Sequence, residues 1–139
     1  MSNKQERMAR RLEQWRGLGG DPHLRGYLEC FNRGLYYEAH DVLEQLWLKD
    51  RHGPNGPFYK GLIQLAGAFV HLQKNRLRPA AALFKLAAAN LKGYPLPHGQ
   101  LDEGELKDLA ARWLAQLEAA EFTLNPLTAA NRPKISRLA

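Results

Sequence analysis

The stretch Phe31-Asn32-Arg33-Gly34-Leu35-Tyr36-Tyr37-Glu38-Ala39-His40-Asp41-Val42-Leu43-Glu44-Gln45-Leu46-Trp47 decides how the rest of the chain is read. At about 100° per residue, Ala39, Val42, Leu43, Leu46 and Trp47 form one apolar arc of a helix running from Tyr36 to about Lys49. His40 and Glu44 fall on the border of that arc, four residues apart and so on the same side. Glu38, Asp41 and Gln45 point away from the pair. The border is polar, aromatic and half buried, and any chemistry in the chain belongs there.

Upstream, Asp21-Pro22 supplies an N-cap and a proline for the first helical position. Leu24, Tyr27, Leu28 and Phe31 then make the apolar stripe of a helix that Gly34 ends. So short a connection folds the two helices back on each other as a hairpin. Glu38 lies in the first turn of the second helix, where the dipole favours a carboxylate, and this is a sufficient structural reason for it. The Gly34 to Tyr37 turn resembles a tetratricopeptide hairpin, but no second unit follows at a period of about 34 residues, which argues against a repeat array.

Asp50 to Gly56 reads as a loop, with His52 solvated in it. Pro57 restarts a helix that runs to about Asn75 and is apolar over most of its circumference, the mark of a central, buried helix. What remains polar on it is a narrow stripe of Lys60, Gln64, Gly67 and His71, with Ala68 beside it. If this helix lies antiparallel to the preceding one, a rise of about 1.5 Å per residue sets Trp47 level with Lys60, Glu44 with Gln64, and His40 with Gly67 to His71. Gly67 and Ala68 then admit a close neighbour or leave a hollow between the two histidines.

The string Tyr37-Glu38-Ala39-His40-Asp41-Val42-Leu43-Glu44-Gln45-Leu46-Trp47, followed by Gly61-Leu62-Ile63-Gln64-Leu65-Ala66-Gly67-Ala68 and His71, resembles the domain of unknown function 309 family. The similarity covers roughly Leu24 to Pro95. Proteins of that family are small, mostly helical, and bacterial or archaeal; their signature is a His, a Glu four residues on and an aromatic three after that, which His40, Glu44 and Trp47 match. The resemblance implies a helical fold and a candidate site. Metal binding is suggested for the family on the strength of the motif, and no activity is implied.

Arg78-Pro79 opens an alanine-rich helix that is apolar nearly all round and is expected to pack closely among others, with Asn90 near its end and Gly93 and Pro95 stopping it. His98 lies in the following loop, and no spacing ties it to His40. Asp102 with Glu105 forms an acidic capping box, Leu101 with Leu106 the hydrophobic staple, and Leu109, Trp113, Leu114 and Leu117 one stripe of a last helix. The segment after Phe122 is irregular, wrapping the bundle or engaging a partner. The expectation is an all-α, single-domain bundle of about five to six helices built on antiparallel hairpins. Residues 1–20 form a basic amphipathic arm, 21–121 the bundle, and 122–139 an irregular basic tail.

Composition agrees with one globular domain: 139 residues, 45% hydrophobic and 24% charged. The net charge of +6 is concentrated at the ends, with +3 over 1–20 and +2 over 121–139. Solvated termini explain it, and the same arginines could meet an anionic partner. Met8, Leu12 and Trp15 recur at helical spacing in the arm, which favours docking on the body or on a second subunit over membrane contact. The N-terminus lacks an apolar signal region, no stretch reaches transmembrane length, and one cysteine, Cys30, allows no internal disulfide; a cytoplasmic setting follows. Cys30 reads as a core or interfacial thiol.

Two functions remain open on the sequence. In the first, a small metal or polar-ligand site is centred on His40 and Glu44: His40, Glu44 and His71 would hold one divalent metal ion with a position left for water, and Trp47, Lys60 and Gln64 would orient them or touch a ligand. Whether such a site is catalytic is undecided; hydrolysis by an activated water is chemically possible there, but nothing in the sequence supports it. In the second, the chain is an interaction module for protein or RNA, homo-oligomeric or bound through its basic ends, and the His/Glu pair is purely structural. Gly17, Gly19 and Gly20 follow a helix, which rejects a nucleotide-binding loop, and the two serines, Ser2 and Ser136, offer no nucleophile motif.

Overall fold

A computed structural model of the chain describes residues 22–92 and 103–135. Within them the chain forms five helices: α1 Pro22–Asn32, α2 Tyr36–Asp50, α3 Gly56–Gln73, α4 Leu77–Leu91 and α5 Glu103–Ala119. No strand occurs among the described residues, and each helix packs on the next in order, from α1 on α2 to α4 on α5. The all-α bundle is therefore present. The arm over 1–20, the N-cap Asp21, His98, and Leu101 and Asp102 of the capping box lie outside the described residues.

The helix ends follow from local chemistry. At the end of α1, Leu35 N–H donates to Cys30 O at 2.8 Å and Gly34 N–H to Phe31 O at 3.0 Å, with Gly34 at φ +78°. This paired closure needs a left-handed residue just past the helix, and glycine takes that conformation without a Cβ clash. Asn75, at φ 56°, closes α3 in the same way: Arg76 N–H donates to His71 O and Asn75 N–H to Leu72 O. Asparagine is the side chain that tolerates this conformation best after glycine.

Inside, the expected stripes are buried: Leu24, Tyr27, Leu28 and Phe31 of α1; Ala39, Val42 and Leu43 of α2; Leu109, Trp113 and Leu117 of α5. Leu46, Trp47 and Leu114 pack partly buried against them. The core converges on Phe69 of α3, whose ring meets Phe31, Tyr36, Phe84 and Trp113 at centroid distances of 5.5, 5.0, 5.2 and 5.0 Å. One side chain thus touches a ring from each of the other four helices, and each such pair adds about 0.5–1.5 kcal/mol beyond the area it buries. Cys30 is buried, which is the core position of the two offered for it.

The apolar surface of α4 is covered only in part: α4 packs on α3 and α5, but Leu86 is half exposed and Ala82 and Ala89 are exposed. At Gly61 α4 lies so near that a Cβ there would be 2.8 Å from Leu91 Cγ and 3.3 Å from Ala87 O.

Beyond α5 the described residues, 120–135, are irregular and wrap the bundle. Asn125 Nδ2 donates to Leu72 O at 2.6 Å, and Arg132 Nη1 to Arg33 O at 2.9 Å. Asn32 Oδ1 accepts from Ile135 N–H at 2.7 Å while its Nδ2 donates to Ile135 O at 3.0 Å, and the Ile135 side chain is buried. Nearby, burial pushes the Tyr36 hydroxyl up to about 12, with Arg132 pulling the other way. No helix among the described residues is long and apolar enough to cross a membrane.

Candidate functional site

Antiparallel packing of α2 on α3 sets Trp47 opposite Lys60, as the residue rise requires: Lys60 Nζ stands 4.4 Å above the centre of the Trp47 ring. This contact contributes about 0.5–1 kcal/mol at a partly exposed position and holds the ammonium at the helix border. Along the same face of α3, toward its C-terminus, lies a cleft of about 320 Å³. Tyr37 and His40 of α2, Lys60, Ile63, Gln64, Gly67, Val70 and His71 of α3, and Leu83 of α4 line it.

Gly67 leaves the space. A Cβ there would come within 3.2 Å of Leu83 Cδ1, so a side chain at this position would intrude on the hollow that the glycine keeps open. Of the alternatives that Gly67 and Ala68 posed, the hollow is the one realised, and Ala68 is buried in the core.

His40 is placed differently from the arrangement that its spacing suggests. Its Nε2 lies 3.5 Å from Glu44 Oε2, one turn on, which agrees with the expected pair. Its Nδ1 lies 3.2 Å from Asp41 Oδ1, although helical spacing alone turns Asp41 away; a side chain's own torsions override the direction of its Cβ over so short a reach. Both ring nitrogens of His40 therefore face carboxylates of their own helix. Glu44 and Trp47 are not among the residues that line the cleft.

Gln64 lies level with Glu44 by the residue rise, but its Oε1 accepts a 2.7 Å hydrogen bond from Asn90 Nδ2. Asn90 is next to last in α4, near the helix end as expected, and α4 lies on the other flank of α3. The amide pair ties the two helices at the cleft's edge.

His71 lies half buried at the far end of the cleft, and its Nδ1 is buried without a hydrogen-bond partner. Burial holds its pKa below the ordinary imidazole value, and the nearby charges of Arg76 and Lys74 press it further down. The two histidines share one cleft, but they do not assemble with Glu44 into a metal site. Among the described residues, no group of three or more His, Cys, Asp or Glu side chains is arranged to hold a metal ion. The His40 nitrogens lie 3.2 Å from Asp41 Oδ1 and 3.5 Å from Glu44 Oε2, both on its own helix, so the structure lends no support to a divalent-metal set of His40, Glu44 and His71.

Tyr37, Ile63, Val70 and Leu83 complete the cleft and were not singled out by motif. Ile63 and Val70 flank the polar stripe at helical spacing and could have been found that way. Leu83 comes from a helix whose register no local signal specifies.

Neither a curated protein nor a solved structure matches the chain. The model of the family described as Domain of unknown function (DUF309) matches residues 24–83. That span contains every residue that lines the cleft and ends before Asn90, α5 and the C-terminal wrap. From Leu24 in α1 to Leu83 in α4, the chain is similar to the domain of unknown function 309 family.

Proposed function

We propose that the chain binds a small polar ligand in the cleft between α2, α3 and α4, with His40, Lys60, Gln64 and His71 as the polar contacts and Glu44 and Trp47 holding His40 and Lys60 in place. One observation carries this: four polar side chains from two helices converge on a hollow of about 320 Å³ floored by Ile63, Val70 and Leu83. A mostly apolar pocket with a few convergent polar groups is the usual form of a small-molecule site. A metal held by His40, Glu44 and His71 has less support, since the His40 nitrogens lie beside Asp41 and Glu44.

The test is a screen of small polar fragments by amide chemical shifts on the full chain, repeated with Gly67→Leu, which fills the hollow from its floor. Binding that moves the amides of Lys60, Gln64 and Gly67 and is lost in the folded variant supports the proposal. The absence of any fragment acting on these amides overturns it.

A second role, docking of a protein partner, is favoured by one feature: Tyr37, 55% exposed, stands on the cleft's rim. Self-association and binding of an anionic partner through the basic termini belong with that role. In the screen it would appear as shifts centred on Tyr37 and its α2 neighbours, produced by a partner and by no fragment.

A further inference from the structure

We infer that the ligand of this cleft is an organic anion with an apolar body, its charged head held at the Lys60 end and its body lying along Ile63, Val70 and Leu83. The inference rests on the proposal that the cleft is a ligand site and adds the chemistry of what enters it.

The charge arrangement comes first. Among the described residues, Lys60 is the one formally charged side chain that lines the cleft, and no carboxylate lines it. Two acids of α2, Asp41 and Glu44, lie against the nitrogens of His40. Among the described residues, Lys60 has the face of Trp47 beneath it and no carboxylate partner. An aromatic face positions an ammonium without neutralising it, so the positive charge stays available to a ligand. A cationic ligand would meet Lys60 with no acid to offset the repulsion; an anionic one gains a charge-assisted hydrogen bond.

The far end agrees. Burial first, and then the positive charges of Arg76 and Lys74, lower the pKa of His71, so cationic side chains stand near that end as well. Between the two ends the wall is apolar. Lys60 and His71 are eleven residues apart on one helix, about 16 Å along its axis, so the cleft is long relative to a bare inorganic ion and accommodates a short hydrocarbon body behind a charged head.

The experiment is an amide-shift titration of the full chain with hexanoate, with hexylammonium as the probe of equal length and opposite charge, and with inorganic phosphate as a head without a body. Each is repeated with Lys60→Met, and with Lys85→Met on the exposed side of α4 as the control. Hexanoate is expected to move the amides of Lys60, Gln64 and Gly67, phosphate to bind much more weakly, and hexylammonium not to bind. Lys60→Met should weaken hexanoate by about tenfold or more, the size expected for loss of a charge-assisted hydrogen bond, while Lys85→Met leaves it unchanged. Equal binding of hexanoate and hexylammonium, or hexanoate binding indifferent to Lys60→Met, overturns the anion assignment while leaving a ligand cleft in place. Silence of all three probes overturns the anion assignment alone if uncharged fragments still act on the cleft, and the ligand site with it if they do not.

Discussion

Gln64 Oε1 accepts a 2.7 Å hydrogen bond from Asn90 Nδ2, and this single amide pair fixes the side of the cleft to which Gln64 belongs. Free of Asn90, the Gln64 side chain could turn toward α2, where Glu44 offers an acceptor level with it. Two partly buried neutral amides are worth about 0.5–1.5 kcal/mol together. Asn90→Ala should therefore lower stability by about 1 kcal/mol, and a double-mutant cycle with Gln64→Ala should recover a coupling of about 0.5–1 kcal/mol in urea unfolding. Additive single losses would mean that the pair contributes nothing.

The C-terminal wrap should be a stabilising part of the bundle. Asn32 uses both ends of its amide on the backbone of Ile135, whose side chain is 2% exposed. Ile135→Ala is expected to cost about 2–4 kcal/mol from lost burial and the cavity left behind, and Asn32→Ala about 1–3 kcal/mol, because the Ile135 N–H and C=O lose their partner. Thermal unfolding of the two variants checks this. Melting temperatures equal to wild type would show that the wrap lies on the surface without holding it.

Much of this fold is legible in the sequence because its signals are local. Gly34 announces the left-handed closure of α1, Pro22 and Pro57 mark helix starts, and the stripes of α1, α2 and α5 are read directly from spacing. The level of Trp47 with Lys60 is equally legible, since a short loop and a fixed rise leave little freedom. Partners chosen by tertiary packing are not. Gln64 had two flanking helices to turn to, and nothing near it in the chain favours Asn90 over Glu44. Asp41 reached His40 through its side-chain torsions, which periodicity does not specify. Gly61, where α4 comes close, resembles Gly67 in sequence; the difference lies in the register of α4, which puts Leu91 and Ala87 over one and Leu83 over the other.

The pH dependence of stability should carry the signature of His71. Its folded-state pKa lies below the ordinary value of the unfolded chain, by burial first and then by Arg76 and Lys74. Between those two values the unfolded state binds more protons than the native state, so stability rises with pH across the window and is lost as pH falls through it. Wild type should accordingly lose stability on acidification from about pH 7 to pH 5 more steeply than His71→Gln, which cannot titrate. Equal slopes for the two proteins in chemical unfolding at a series of pH values would show that His71 titrates alike in both states.

Metal content tests the arrangement around His40 directly. A tridentate site needs His40, Glu44 and His71 to aim lone pairs at one point, but His40 Nδ1 and Nε2 lie 3.2 and 3.5 Å from carboxylate oxygens of α2. Where the Asp41 carboxylate holds Nδ1 as the N–H donor, that nitrogen has no lone pair for an ion, and Nε2 beside Glu44 is the one left to bind. Elemental analysis of the purified, untagged chain, offered zinc, manganese or iron, should therefore find metal well below one equivalent, with no difference between wild type and His40→Ala. Near-stoichiometric metal that is lost in folded His40→Ala and Glu44→Gln would mean that the imidazole turns to bind it, and the cleft would then have to be understood as a metal site.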